Sequence, residues 1–147
     1  MRTRSQLVCL LALLPAIAAA DSVRAHFLVG AVVEPRLSIA TLSAPERVWV
    51  TRADLARGYL DVAARYRIAS NDGRGYLLHF DTRTGLTRAI EVVGLAAPLT
   101  LGDAGADMHQ RAGVGERDYA LRYRLHLAPQ AQVGSYELPV RVGVRPL

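Results

Sequence analysis

Residues 119–127 read YALRYRLHL, and residues 136–145 read YELPVRVGVR. In the first segment Tyr119, Leu121, Tyr123, Leu125 and Leu127 alternate with Ala120, Arg122, Arg124 and His126. In the second, Tyr136, Leu138, Val140, Val142 and Val144 alternate with Glu137, Pro139, Arg141, Gly143 and Arg145. A β-strand sends successive side chains to opposite faces, so each segment has one apolar face and one wet face. That is the pattern of an antiparallel sheet with one side on a core and the other in water.

The same period runs through most of the chain. Phe27, Val29, Ala31 and Val33 alternate up to Pro35, and Leu37 and Ile39 continue as a second short piece. Val48 to Val50, around the single Trp49, reads as a short strand. Leu60, Val62, Ala64, Tyr66 and Ile68 form a longer apolar face. Asn71-Asp72-Gly73 follows as a turn, then Tyr76, Leu78 and Phe80, so residues 58–81 read as a hairpin. Ala89 to Val93 is a further strand. Residues 96–117 are rich in Gly, Ala and Asp, with short strands expected at Leu99–Leu101 and Met108 to Arg111. Asp54 to Arg57 suits a single helical turn. Many short strands separated by turns predict an all-β, antiparallel β-sandwich or barrel of about seven to nine strands.

The N-terminus reads as an export signal. Arg2 and Arg4 precede an apolar run from Leu7 to Ile17, and Ala18-Ala19-Ala20 offers small residues for cleavage before Asp21. Residues 1–20 are therefore expected to be a signal peptide and residues 21–147 a single β-sandwich domain. The run is short of the roughly 20 apolar residues of a transmembrane helix, so no integral membrane segment is expected after cleavage. The expected location is exported: the periplasm, the cell surface or the medium.

The only cysteine, Cys9, lies inside the apolar run. The processed domain would have no disulfide, no thiolate chemistry and no cysteine metal site. Cleavage lowers the formal charge from +5 to +3 by removing Arg2 and Arg4. Every other basic side chain is also Arg, and these are interspersed with acids rather than run together, which gives no reason to expect a nucleic-acid partner.

Few residue groupings point to chemistry. Asp103, Asp107 and His109 offer oxygen and imidazole donors in a Gly-rich loop, but their spacing matches no Ca²⁺-binding loop pattern. His79 and Asp81 share one strand face and form an acid–base pair without a third member. None of Ser22, Ser38, Ser43, Ser70 and Ser135 sits in a Gly-x-Ser-x-Gly elbow. The expectation is a non-enzymatic protein without a cofactor or metal. Arg122, Arg124, Arg141 and Arg145 would form an outward cationic patch if their two strands pair. Trp49 and the tyrosines suggest a sugar platform, although the tyrosines fall on apolar stripes.

The two ends of the mature region carry a resemblance. FLVGAVVEPRLSIA (residues 27–40) resembles the first strands of secreted, spore coat protein U-like pilin domains, the subunits of archaic chaperone–usher pili. LRYRLHLAPQAQVGSYELPVRVGV (residues 121–144) resembles their final strand pair, in which Gly-x-Tyr opens a closing strand of alternating Val. The resemblance implies an immunoglobulin-like sandwich that lacks one strand. In such a family the gap is filled by a periplasmic chaperone and then by the N-terminal strand of the next subunit, a β-augmentation. It implies a donor strand at Phe27, Val29, Ala31 and Val33. It implies a closing strand at Gly134, Tyr136, Leu138, Val140, Val142 and Val144. The partners it implies bind by strand addition: a chaperone, an usher and neighbouring subunits. The chain departs from the family at Pro35-Arg36-Leu37, where a cysteine is usual. The function expected is a structural or adhesive, pilin-like subunit. The alternative is a self-contained periplasmic or extracellular module that binds glycans or anionic ligands.

Overall fold

The computed structural model describes residue 30 and residues 32–83, 85–111 and 113–147. The expected signal peptide, and the expected donor positions Phe27, Val29 and Ala31, lie outside the described residues. A compact unit spans Val33–Leu147.

The unit is an all-β antiparallel sandwich. Its strands are β1 (Leu37–Ser43), β2 (Arg47–Val50), β3 (Tyr59–Ser70), β4 (Tyr76–Thr82), β5 (Thr87–Val93), β6 (Leu99–Leu101), β7 (Ala106–Gln110), β8 (Gly115–Leu127), β9 (Gly134–Glu137) and β10 (Val140–Pro146). One helix, α1 (Arg52–Arg57), lies between β2 and β3. A five-stranded sheet has the order β1-β3-β8-β5-β6, a three-stranded sheet the order β10-β4-β7, and β2 pairs with β9.

The apolar stripes form the core as their period requires. Val62, Ala64, Tyr66 and Ile68 of β3 and Tyr119, Leu121, Tyr123, Leu125 and Leu127 of β8 are all buried. Tyr76, Leu78 and Phe80 of β4 face them from the other sheet. The tyrosines carry polar tips into this core and satisfy them with one another. The Tyr76 and Tyr119 hydroxyls are 2.7 Å apart and bridge the two sheets, and Tyr123 donates to Tyr66 at 3.2 Å. Burial pushes the Tyr76 and Tyr123 hydroxyls well above their ordinary pKa. Among the described residues no buried side-chain polar atom lacks a partner, as a well-packed interior requires.

Ten strands are described where seven to nine were expected. One reason is that the closing strand is two pieces. Pro139 has no N–H to give to a ladder, and the chain changes partner there. β9 pairs with β2, whereas β10 pairs with β4.

The expected hairpin over residues 58–81 is not one. β3 belongs to the five-stranded sheet and β4 to the three-stranded sheet. Both strands bury the same kind of stripe, and the residues from Asn71 to Gly75 carry the chain across the roughly 10 Å between packed sheets. Asp72 holds that crossing by accepting from the Arg74 backbone N–H at 2.9 Å. Gly75 has φ 103°, and a Cβ there would meet the Gln110 carbonyl oxygen at 2.2 Å. Only glycine lets the backbones approach so closely.

The helix is longer than the single turn expected. Thr51 caps it by accepting from the Asp54 N–H at 3.2 Å, and Asp54 accepts from the Thr51 N–H at 2.9 Å. This reciprocal capping box starts the helix, and Gly58 at φ 79° ends it.

Part of the strand order matches that of an immunoglobulin constant-type sandwich, with β6, β7 and the β2–β9 pair outside the match. β1, β3, β8 and β5 occupy the A, B, E and D places, and β4 and β10 the C and F places. The connection between β8 and β9 contains a tyrosine corner. The Tyr136 hydroxyl donates to the Gln132 carbonyl at 2.9 Å and accepts from the Gln132 N–H at 3.2 Å, four residues upstream. Replacing Tyr136 with Phe removes both bonds and keeps the ring. A loss of about 1–2 kcal/mol is expected, read as a lower urea midpoint with an unchanged slope.

Candidate functional site: a cleft between two open sheet edges

The G place of this sandwich, beside β10, is empty among the described residues. Among the described residues, β10 pairs on one side only, with β4, and β1 on one side only, with β3. Between these two edges runs a cleft of about 620 Å³. Its apolar lining includes Ala44, Tyr66, Leu138, Val140 and Val142. The inward positions of β1 and of the β9–β10 segment are incompletely covered. Leu37, Ile39, Leu138, Val142 and Val144 are only partly buried, whereas Tyr123 and Leu125 of the central strand are 0 % exposed. The expected closing-strand residues are thus placed in two groups. Gly134 and Tyr136 start β9 at the corner, and Val140, Val142 and Val144 form the inner face of β10.

One end of the cleft is tied shut. Leu138 N–H donates to the Glu46 carbonyl at 2.9 Å, and Arg47 Nε donates to Ser135 Oγ at 2.9 Å. Arg83 forms an ion pair with Glu137 beside it. The other side is therefore lined by two backbones that have no ladder partner among the described residues, over partly covered apolar side chains. This is the surface a further strand would complete: its backbone groups would bond β10 and its alternate side chains would fill the gap.

The outward cationic patch does not form. Arg122 and Arg124 are on β8 in the five-stranded sheet, and Arg141 and Arg145 are on β10 in the other sheet. Two segments with the same alternation need not be neighbours, and the tyrosine corner carries the chain from one sheet to the other. Arg124 is moreover bidentate on Asp61 at 2.9 and 3.1 Å and lies over the Tyr59 ring at 4.6 Å. That pairing holds Asp61 below the usual carboxylate range. Arg141 stands opposite Asp81 in the β10–β4 register. Trp49 is 63 % exposed, but Tyr66, Tyr76, Tyr119 and Tyr123 are buried, so no platform of the expected aromatics exists.

His79 and Asp81 do share a face, and the structure adds two members. Asp107, directly across from His79 on β7, hydrogen-bonds its Nδ1. Asp81 lies 2.8 Å and Arg145 2.9 Å from its Nε2. Nε2 can accept from Arg145 when the ring is neutral or donate to Asp81 when it is charged, never both. Asp107 chiefly, and Asp81 with it, hold the His79 pKa above its ordinary value, against partial burial and Arg145. Because the folded-state pKa is raised, the stabilisation is full below the unfolded value of about 6.5 and is lost as pH rises through the folded value. Urea midpoints are expected to fall between pH 5.5 and pH 8.5 by more in the parent than in His79→Gln. Equal falls would show that the cluster is silent.

Asp103, Asp107 and His109 are not assembled as a metal site. Asp107 is committed to His79, and the Asp103 carbonyl accepts from Thr82 Oγ1 at 3.0 Å. Among the described residues no group of three or more His, Cys, Asp or Glu side chains is disposed to hold a metal ion. No described helix is long and apolar enough to cross a membrane.

Comparison with known proteins gives no relative: no family model, curated protein or solved structure matches the chain.

Proposed function

We propose that this protein is a pilin-like structural subunit that works by accepting a strand from another protein into the cleft between β1 and β10. The observation that carries the reading is the empty place beside β10, with Val142 and Val144 facing inward yet only partly covered. β10 has seven residues, and the alternating segment at residues 27–33 has the same length. A seven-residue strand spans about 20 Å, so one such segment can run the length of β10. Phe27, Val29, Ala31 and Val33 would fill the apolar floor, and main-chain hydrogen bonds would supply affinity.

On this reading the chain is exported through its N-terminal signal, and its partners are a chaperone, an usher and neighbouring copies. Size-exclusion chromatography of the mature protein with and without residues 21–33 tests it. Oligomers that disappear on truncation, and reappear as a stable one-to-one complex when a residue 27–33 peptide is added, support it. A stable, monodisperse monomer that ignores the peptide overturns it.

A further inference from the structure

We infer that the outer face of the five-stranded sheet carries a paired carboxylate-binding site, centred on Arg65 and Arg122, that takes successive uronates of an acidic polysaccharide. The site is independent of the strand-acceptor reading and arises from a repeated pattern. Residues 61–67 read DVAARYR and residues 118–124 read DYALRYR, with Asp, Ala, Arg, Tyr and Arg at the same places. β3 and β8 set the two copies antiparallel and in register. Asp61 stands opposite Arg124, Ala63 opposite Arg122, Arg65 opposite Ala120 and Arg67 opposite Asp118. The pairing is therefore two-fold in its chemistry. On the inner face it joins the Tyr66 and Tyr123 hydroxyls.

On the outer face the flanking rungs are closed. Arg124 grips both oxygens of Asp61 at 2.9 and 3.1 Å, and Arg67 both oxygens of Asp118 at 2.7 and 2.9 Å. The central rungs set the same arginine opposite alanine. Arg65 and Arg122 are exposed, and among the described residues neither has a carboxylate within ion-pair distance. Their neighbours on the other strands, Ser43 and Val93, are not acids either. Diagonal neighbours on adjacent strands lie about 7–8 Å apart, so two cations stand side by side without a counter-ion from the chain. Each alanine stops short of the place where a flanking rung puts its aspartate carboxylate. A carboxylate arriving from solvent over Ala63 or Ala120 can be gripped by Arg122 or Arg65 in the same fork geometry. Two such places, diagonal to each other, suit a chain that carries carboxylates in succession. A membrane surface needs a larger cluster of cations or an inserted apolar face, and a nucleic acid needs a longer cationic stripe.

The test is binding of the full chain to immobilised polygalacturonate at low salt, with neutral dextran as the control surface. Saturable binding to polygalacturonate alone is expected, weakening as salt is added. Arg65→Gln and Arg122→Gln should each lower the affinity about tenfold, the loss of one charge-assisted fork, and the double variant should abolish binding. Arg145→Gln removes the same charge from the other sheet and should leave binding unchanged. Arg65→Lys keeps the charge and loses the fork, so it should retain only part of the affinity. Urea denaturation of the double variant should give a midpoint no lower than the parent's, because no contact within the chain is removed. A lower midpoint would give the pair a structural role and overturn the site. No binding by the parent, equal losses in Arg65→Gln and Arg145→Gln, or tighter binding to phosphatidylglycerol vesicles than to polygalacturonate would also overturn it.

Discussion

Val142→Asp is expected to abolish strand capture while leaving the isolated domain folded. Val142 lines the cleft and is only partly buried, so a carboxylate there stays hydrated while the cleft is open. When a strand seats, the same carboxylate is taken from water, a cost that Arg47 and Arg141 in the cleft lining offset only in part. Burying a charge that is only partly compensated costs several kcal/mol, and each 1.4 kcal/mol is a factor of ten in affinity. Affinity for the residue 27–33 peptide should therefore fall by a factor of about 100 or more, with the urea midpoint of the free domain little changed. Calorimetry with the peptide and denaturation without it separate the two effects. An unchanged affinity would mean that the strand does not lie over Val142.

Phe80→Ala is expected to be the most damaging single change to the fold. Phe80 is 0 % exposed and belongs to the core cluster between the sheets. Truncating a buried Phe to Ala costs about 3–5 kcal/mol, from lost transfer free energy and the cavity left behind. Domains of this size are stable by roughly 5–15 kcal/mol, and a sandwich with partly covered inner positions on β1 and β10 belongs toward the lower end. The variant should lose its cooperative thermal transition near 37 °C or show it far below the parent. Because ligand binding stabilises the folded state by mass action, saturating peptide should recover part of the loss. A shift of less than about 1 kcal/mol would show that the site collapses around the smaller side chain.

The strands themselves were legible because alternation is a property of consecutive residues. The inward assignments of Val62 to Ile68 and of Tyr119 to Leu127 match the buried positions, since a strand has only two faces and one of them is apolar. Trp49 faces outward between the buried Val48 and Val50 for the same reason. The partners of those strands were not legible in this way. Asn71-Asp72-Gly73 carries hairpin chemistry, yet it spans two sheets, because its side chains are engaged with residues 34–36 and Arg74. His79 and Asp81 were visible as a pair two residues apart, whereas Asp107 and Arg145 come from distant strands.

Period 2 along the chain is enough to dictate an all-β sandwich and to say which side chains face inward, since facing is set by local pleat geometry and the transfer of apolar groups out of water. Neighbour identity is set by long-range pairing, to which an inner face is the same whichever sheet it joins. That is why YALRYRLHL and YELPVRVGVR, so alike as segments, end in different sheets. It is also why the open place beside β10 emerges only once every other strand has found its partner.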